Sequence, residues 1–132
     1  MPFTRQVAVR FSDTDTMGHV NNAAYLVYLE DARIAFFRSL QTDEGEAFFG
    51  RGLIVGRVEI DYVRPVFFPD PVEVEVAVAS IGRSSFRVSY VLRQRGQEVA
   101  RAISVQVAYD YRTHHSRPLD DVERRALTAQ RA

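Results

Sequence analysis

The sequence predicts an α+β fold in which a curved antiparallel sheet wraps one long central helix. Three features lead there. A single segment, residues 23–40, carries apolar residues at helical spacing around most of its circumference. Nearly everything after it alternates apolar and polar residues at strand spacing. The helical segment follows only one strand, so the consecutive strands behind it must close over it through short antiparallel turns.

Residues 5–11, RQVAVRF, put Val7, Val9 and Phe11 on one face and Gln6 and Arg10 on the other, which is a strand pattern. Residues 12–22, SDTDTMGHVNN, are rich in turn formers. Asn21 or Asn22 suits the start of a helix, because a short side-chain oxygen reaches the unpaired amides of a first turn. From Ala23 to Leu40, Tyr25, Tyr28, Leu29, Ala32 and Phe36 line one helical face, and Leu26, Ile34 and Phe37 widen it. A band this wide predicts a helix enclosed on most sides. After a glycine-rich connection, strands are expected over 57–63, 72–78, 86–93 and 98–110, with Arg95–Gly96 as the last tight turn. In the final strand Val99, Ile103, Val105, Val107 and Tyr109 are expected on one side. A short helix from Leu119 to Leu127 closes the chain. No repeat, linker or low-complexity tract divides residues 1–132, so one domain is expected. Its exposed sheet edges and helix faces predict a homo-oligomer.

Composition excludes several kinds of chemistry. The 132 residues contain no cysteine, which removes disulfide scaffolds, thiol nucleophiles and cysteine-ligated metals. All 17 basic residues are arginine, so lysine Schiff bases and Walker-type phosphate loops are absent. Seventeen acidic residues balance them, and a net charge of zero argues against nucleic acid or an anionic membrane as partner. No secretory leader or membrane span is visible, which predicts a cytoplasmic protein. His114–His115 is no metal pair, since adjacent side chains of an extended segment point opposite ways.

The densest polar stretch is Ser12-Asp13-Thr14-Asp15-Thr16-Met17-Gly18-His19-Val20-Asn21-Asn22. Residues 10–33, RFSDTDTMGHVNNAAYLVYLEDAR, resemble the signature of hot-dog-fold acyl-CoA thioesterases of the 4-hydroxybenzoyl-CoA thioesterase type. The pattern is D-x-D-x-x-G-H-V-N-N-x-x-Y with a glutamate further along the helix. EIDYVRPVFFPD (59–70) and IGRSSFRVSYVL (81–92) are similar to later segments of that family, so the resemblance spans about residues 5–110. It implies the hot-dog fold, hydrolysis of an acyl or aryl thioester to free acid and CoA, and dimers that often pair into tetramers with sites between subunits. The partner is acyl-CoA or an acyl-carrier protein. Coenzyme A enters as part of the substrate, and neither a separate cofactor nor a metal is implied.

Carried over residue by residue, the resemblance makes Asp15 the catalytic carboxylate and the Asn22 backbone N–H the oxyanion donor. Thioester hydrolysis needs a carboxylate that directs a water or attacks the carbonyl itself, and a helix start offers unpaired amides to the developing oxyanion. His19 either polarises the carbonyl and orients a water or bonds the adjoining loop. Gly18, Asn21, Tyr25 and Glu30 are candidates for contact with substrate, with Gly18 also a source of an unusual backbone angle, Asn21 a cap and Tyr25 core. Glu30 is the reserve catalytic carboxylate. Asp13 reads as a turn former that bonds neighbouring amides. Arg83, Ser84 and Ser85 resemble the region that meets the nucleotide end of CoA, where a guanidinium and hydroxyls suit phosphate oxygens. Residues around Leu53–Val58, Phe67–Phe68 and the helix are expected to set acyl length. Two other readings keep the same fold: an acyl-thioester dehydratase or hydratase, and a non-catalytic acyl-thioester binding module.

Overall fold

The computed structural model describes residues 2–42, 45–46, 48 and 51–130. Strand β1 (Phe3–Val7) leads through a 3-10 turn at Phe11–Asp13 to helix α1 (Ala24–Ser39). A two-residue hairpin, β2 (Gln41–Thr42) with β3 (Gly45–Glu46), follows. Four long strands come next: β4 (Leu53–Tyr62), β5 (Val72–Ile81), β6 (Ser85–Gln94) and β7 (Gln97–Asp110). A short β8 (His115–Ser116) and helix α2 (Asp121–Ala129) end the chain. The sheet order is β1-β5-β6-β7-β4 with every pair antiparallel, and β8 adds to β7.

Binary patterning explains β5 and β6. Val72, Val74, Val76 and Val78 are buried, as are Phe86, Val88, Tyr90 and Leu92 on the neighbouring strand. The intervening Glu73 and Glu75 meet Arg93 on the outer face. The predicted turn forms at Arg95 (φ 54°) and Gly96 (φ 77°), the left-handed pair that a two-residue hairpin needs. Helix α1 begins one residue after the predicted start and buries Tyr25, Tyr28, Leu29, Ala32, Phe36 and Phe37. Phe36 meets Phe3 edge-on at 5.4 Å between ring centroids, which ties the helix to β1.

Two expectations fail, and β7 buries its less apolar side, each for a tertiary reason. Strand β1 stops at Val7, and Phe11 is exposed, because the chain turns where the Asp13 carboxylate accepts from the Arg10 amide. On β7 the inward face is Ala100, Ala102, Ser104, Gln106 and Ala108, while Ile103, Val105, Val107 and Tyr109 face outward, only partly covered. Cross-strand register decides this. Ala102 pairs with Tyr90 and Ser104 with Val88, and directly opposed residues share a face. The bulky inward residues of β6 and α1 leave room only for small ones on β7. Nor is α1 enclosed on most sides. It lies over β1 and β5, leaving Leu26 and Val27 half-exposed and Ile34 partly so. The inner face of edge strand β4 therefore stays accessible, with Val55 43% and Tyr62 49% exposed. That opening between α1 and β4 holds both cavities described next.

Candidate active site

The polar stretch folds as a small closed loop ahead of α1. Thr14 and Val20 pair across it, the Asp15 amide donates to the His19 carbonyl at 2.9 Å, and the Gly18 amide returns to the Asp15 carbonyl at 3.1 Å. Gly18 has φ 86°, and a side chain there would meet open space, so backbone conformation alone calls for glycine. The Val20 amide donates to the Val66 carbonyl at 2.8 Å, which anchors the loop beside residues 62–65.

Asp13 holds the base of this loop. Its carboxylate accepts from the Arg10 amide at 2.9 Å, from the Arg10 guanidinium at 3.0 Å and from the Tyr28 hydroxyl at 2.7 Å. Its carbonyl accepts from the Asn21 amide at 2.8 Å. Asp13 thus bonds neighbouring amides, as a turn former should, and also pins the loop to α1. Burial by itself would raise the Asp13 carboxyl, but the Arg10 amide, Tyr28 hydroxyl and Arg10 guanidinium together hold it below its ordinary value. Burial, and then the bond to Asp13, push Tyr28 well up, so it remains a donor. A depressed carboxyl stabilises the fold above its unfolded value near 3.8, and that stabilisation is lost as pH falls through the folded value. Tyr28→Phe should cost about 1.5–3 kcal/mol at neutral pH, the range for a bond to a charged group. Urea melts should show the gap between parent and variant narrowing under strongly acid conditions.

Within this frame Asp15 is only partly covered. One carboxylate oxygen accepts from the Met17 amide at 2.9 Å, and the other lies 3.9 Å from His19 Nδ1. The His19 ring nitrogen also lies 3.3 Å from the Val20 carbonyl. Neither asparagine occupies the helix cap position, which is Ala23. Asn21 acts two residues earlier, its Oδ1 accepting from the Ala23 amide at 2.9 Å. Among the described residues no acceptor takes the Asn22 amide. Tyr62, at the end of β4, donates to the Asn22 carbonyl at 3.2 Å and stands edge-on to Tyr25 with centroids 4.9 Å apart. Burial, followed by the neighbouring Tyr62, raises the Tyr25 hydroxyl.

Asp15, His19, Asn22 and Tyr25 thereby line one crevice of about 350 Å³, completed by Val20, Tyr62, Val63, Arg64 and Pro65. Gly18 and Asn21 belong to the supporting loop and helix start rather than to the crevice lining. Glu30 is elsewhere. Eight residues along α1 from Asn22 carry it about 12 Å along the axis, into a second cavity of about 360 Å³ lined also by Arg33, Phe37, Leu53–Val55 and Gln106. Arg83, Ser84 and Ser85 stand apart from both. Their turn is held by α2, with the Arg124 guanidinium donating to the Gly82 and Arg83 carbonyls. Among the described residues no three His, Asp or Glu side chains converge as a metal site would.

Tyr62, Val63 and Pro65 are site residues that the sequence did not single out. Their only signal was membership in EIDYVRPV, and more than forty residues separate them from Asp15. Arg64, whose guanidinium reaches the Glu98 carbonyl at 2.6 Å, stands at the same wall.

Comparison with known proteins agrees with this architecture. The sequence profile of the thioesterase-like superfamily matches residues 9–127. The chain is 33% identical over 119 residues to the 1,4-dihydroxy-2-naphthoyl-CoA hydrolase of Synechococcus elongatus, covering 88% of each protein. It is 29% identical over 124 residues to the long-chain acyl-CoA thioesterase FadM of Escherichia coli, covering 92% of this chain and 94% of that one. A thioesterase from Thermus thermophilus, solved with coenzyme A and Zn, matches with a TM-score of 0.84 at 35% identity, over 96% of this chain and 92% of that chain. Profile, sequence and fold agree over nearly the same residues, and the chain belongs to the thioesterase-like superfamily, with the hot-dog architecture that its D-x-D-x-x-G-H-V-N-N signature implied.

Proposed function

We propose that this protein hydrolyses acyl-CoA thioesters to the free acid and CoA in the crevice between Asp15 and the first turn of α1. One observation supports the reading: a partly exposed carboxylate, Asp15, lines the same cavity as Asn22, whose backbone amide has no acceptor among the described residues. Asp15 takes a proton from a water as its oxygen adds to the carbonyl carbon. The Asn22 amide then holds the oxyanion, favoured by its place at the positive end of the helix. Collapse of the intermediate breaks the carbon–sulfur bond, and the departing thiolate takes up the proton from Asp15. His19, 3.9 Å from Asp15, orients the carboxylate. Direct attack by Asp15 on the carbonyl uses the same two groups and differs in forming a transient anhydride.

The acyl group fits the second cavity, whose walls are the stretch expected to set acyl length, Leu53–Val55, and the Glu30–Phe37 side of α1. The two cavities meet through dimerisation. Strand β4 is ten residues long and ends the sheet, and among the described residues its outer edge has no partner strand. Antiparallel pairing of two such edges about a two-fold axis brings the Leu53 end of one β4 beside the Tyr62 end of the other. Each Asp15 crevice then adjoins the acyl cavity of the second copy. The long-chain and naphthoyl relatives set the substrate range to test.

A panel of acyl-CoA esters with a free-thiol readout should show turnover by a protein that sediments as a dimer or larger. Tight binding of these esters without thiol release would reduce the protein to a binding module. A monomer with full activity would remove the composite site.

A further inference from the structure

The floor of the second cavity carries a chain of hydrogen bonds. Arg33 Nη1 donates to the Tyr90 hydroxyl at 3.2 Å, Tyr90 lies 2.5 Å from Ser104 Oγ, and Ser104 lies 2.7 Å from Gln106 Oε1. Tyr90, Ser104 and Gln106 are all buried, whereas Arg33 and Gln106 both line the cavity. A guanidinium has only donors, so Tyr90 accepts from Arg33. Either hydroxyl of the Tyr90–Ser104 pair can donate, and with Tyr90 donating, Ser104 gives its proton to Gln106 Oε1 and every hydroxyl proton of the chain has an acceptor. Such chains reinforce themselves, each bond polarising the next. At the far end the carboxamide is held by its oxygen, and its Nε2 has Ser104 as its one partner among the described residues, 2.8 Å away. An –NH2 carries two protons, so with this one partner Gln106 keeps donor capacity for the cavity.

We infer that Gln106 is a specificity-determining residue that selects acyl groups bearing an uncharged hydrogen-bond-accepting oxygen, such as a hydroxyl or carbonyl, over purely hydrocarbon ones. The inference rests on the proposed thioesterase reading and on the second cavity as its acyl site. Phe37, Phe48 and Tyr111, with Ile34 and Leu53–Val55, supply the apolar part of the wall. Glu30 and Arg33 bring opposite charges to the same rim, so the cavity favours neither an anionic nor a cationic substituent. A methyl in place of the oxygen would leave the buried amide donor unmatched, and polar sites reject such analogues more strongly than apolar sites reject extra bulk.

The test compares esters that differ only at the substituent: an aryl-CoA with a ring methyl against its ring-hydroxyl counterpart, and a straight-chain acyl-CoA against its keto counterpart. The parent enzyme should favour the oxygen-bearing member of each pair by about ten-fold or more in kcat/KM. Gln106→Leu should bring both ratios near one, chiefly through KM for the oxygen-bearing ester. Tyr90→Phe leaves the cavity lining intact but interrupts the chain, and it should reduce the ratios part of the way. Equal ratios in parent and Gln106→Leu, or a parent with no preference, would overturn the inference while leaving the hydrolase reading standing. No turnover of any ester by the parent would instead remove the hydrolase reading. Should Gln106→Leu fail to fold, the parent's own preference and Tyr90→Phe still decide the matter, since unaltered ratios in Tyr90→Phe contradict the chain.

Discussion

Asp15→Asn should lower kcat by about 10²–10⁴, the usual contribution of a positioned acid or base, with little change in KM or in thermal stability. Asparagine keeps a side-chain oxygen for the Met17 amide, so the loop that Asp15 Oδ1 now organises survives the exchange. What disappears is the ability to hold a proton between attack and departure, or to act as nucleophile. The residual rate should reflect the Asn22 amide and the crevice alone, since an oxyanion donor persists without the carboxylate. Steady-state thiol release, together with a thermal melt of the same sample, makes the comparison. Near-parental turnover would take the chemistry away from Asp15. Loss of turnover in Glu30→Gln but not in Asp15→Asn would move the reacting carboxylate to the other cavity, where Glu30 sits.

Glu123→Ala should have the largest effect on stability, a loss of about 3 kcal/mol or more. Glu123 is fully buried and receives a two-pronged contact from Arg117, at 2.8 Å to Oε1 and 3.0 Å to Oε2. The same arginine donates to the Arg51 and Gly52 carbonyls, and Glu123 Oε1 accepts from the Asp120 amide at the start of α2. One pair therefore joins α2, the segment before it and the entry to β4. Removing one partner of a buried pair costs about 3–5 kcal/mol because the other charge is left uncompensated. Arg117 retains some solvent access, which places the expected loss at the lower end. A melting temperature lowered by on the order of 10 °C corresponds to that loss in a domain of this size. Glu123→Gln should cost less, because it keeps an acceptor for the Asp120 amide. A urea melt showing under about 1 kcal/mol for the alanine variant would contradict the assignment. Since Gly52 and Leu53 wall the second cavity, the alanine variant should also raise KM more than it lowers kcat.

Much of the molecule was legible before any coordinates. The long helix lies within a residue of its expected limits, and the expected strands 72–78 and 86–93 fall inside β5 and β6. In those segments large apolar and polar side chains alternate without ambiguity. For β7 the sequence groups the large apolar residues on one side without saying which side is buried, because both faces are uncharged over much of its length. Val, Ile and Tyr occupy one face, with Ala, Ser and Gln on the other. Hydrophobicity favours the first set, but the space left by Tyr90, Phe86 and α1 admits only the second. With the buried side open, nothing in the sequence marked Ser104 and Gln106 as interior.

The candidate site divides in the same way. Asp15, Gly18, His19 and Asn22 lie in one short stretch, and their loop is closed mainly by bonds among near neighbours, so a local pattern was enough to find them. Glu30 looked equally near in sequence, yet helical rise carries it into a different cavity. Tyr62 and Arg64 join the crevice only because β4 ends beside the first turn of α1. The Arg117–Glu123 pair looks like two surface charges until α2 folds down over it.

By itself, then, the sequence determined the elements, their order and the polar loop, because periodicity and turn chemistry act over a few residues at a time. Only the tertiary structure decided which face of β7 is buried, which carboxylate shares a cavity with Asn22, and that two cavities lie along α1. Those outcomes depend on strand register and on the volume left by residues distant in the chain, which no short window of sequence contains.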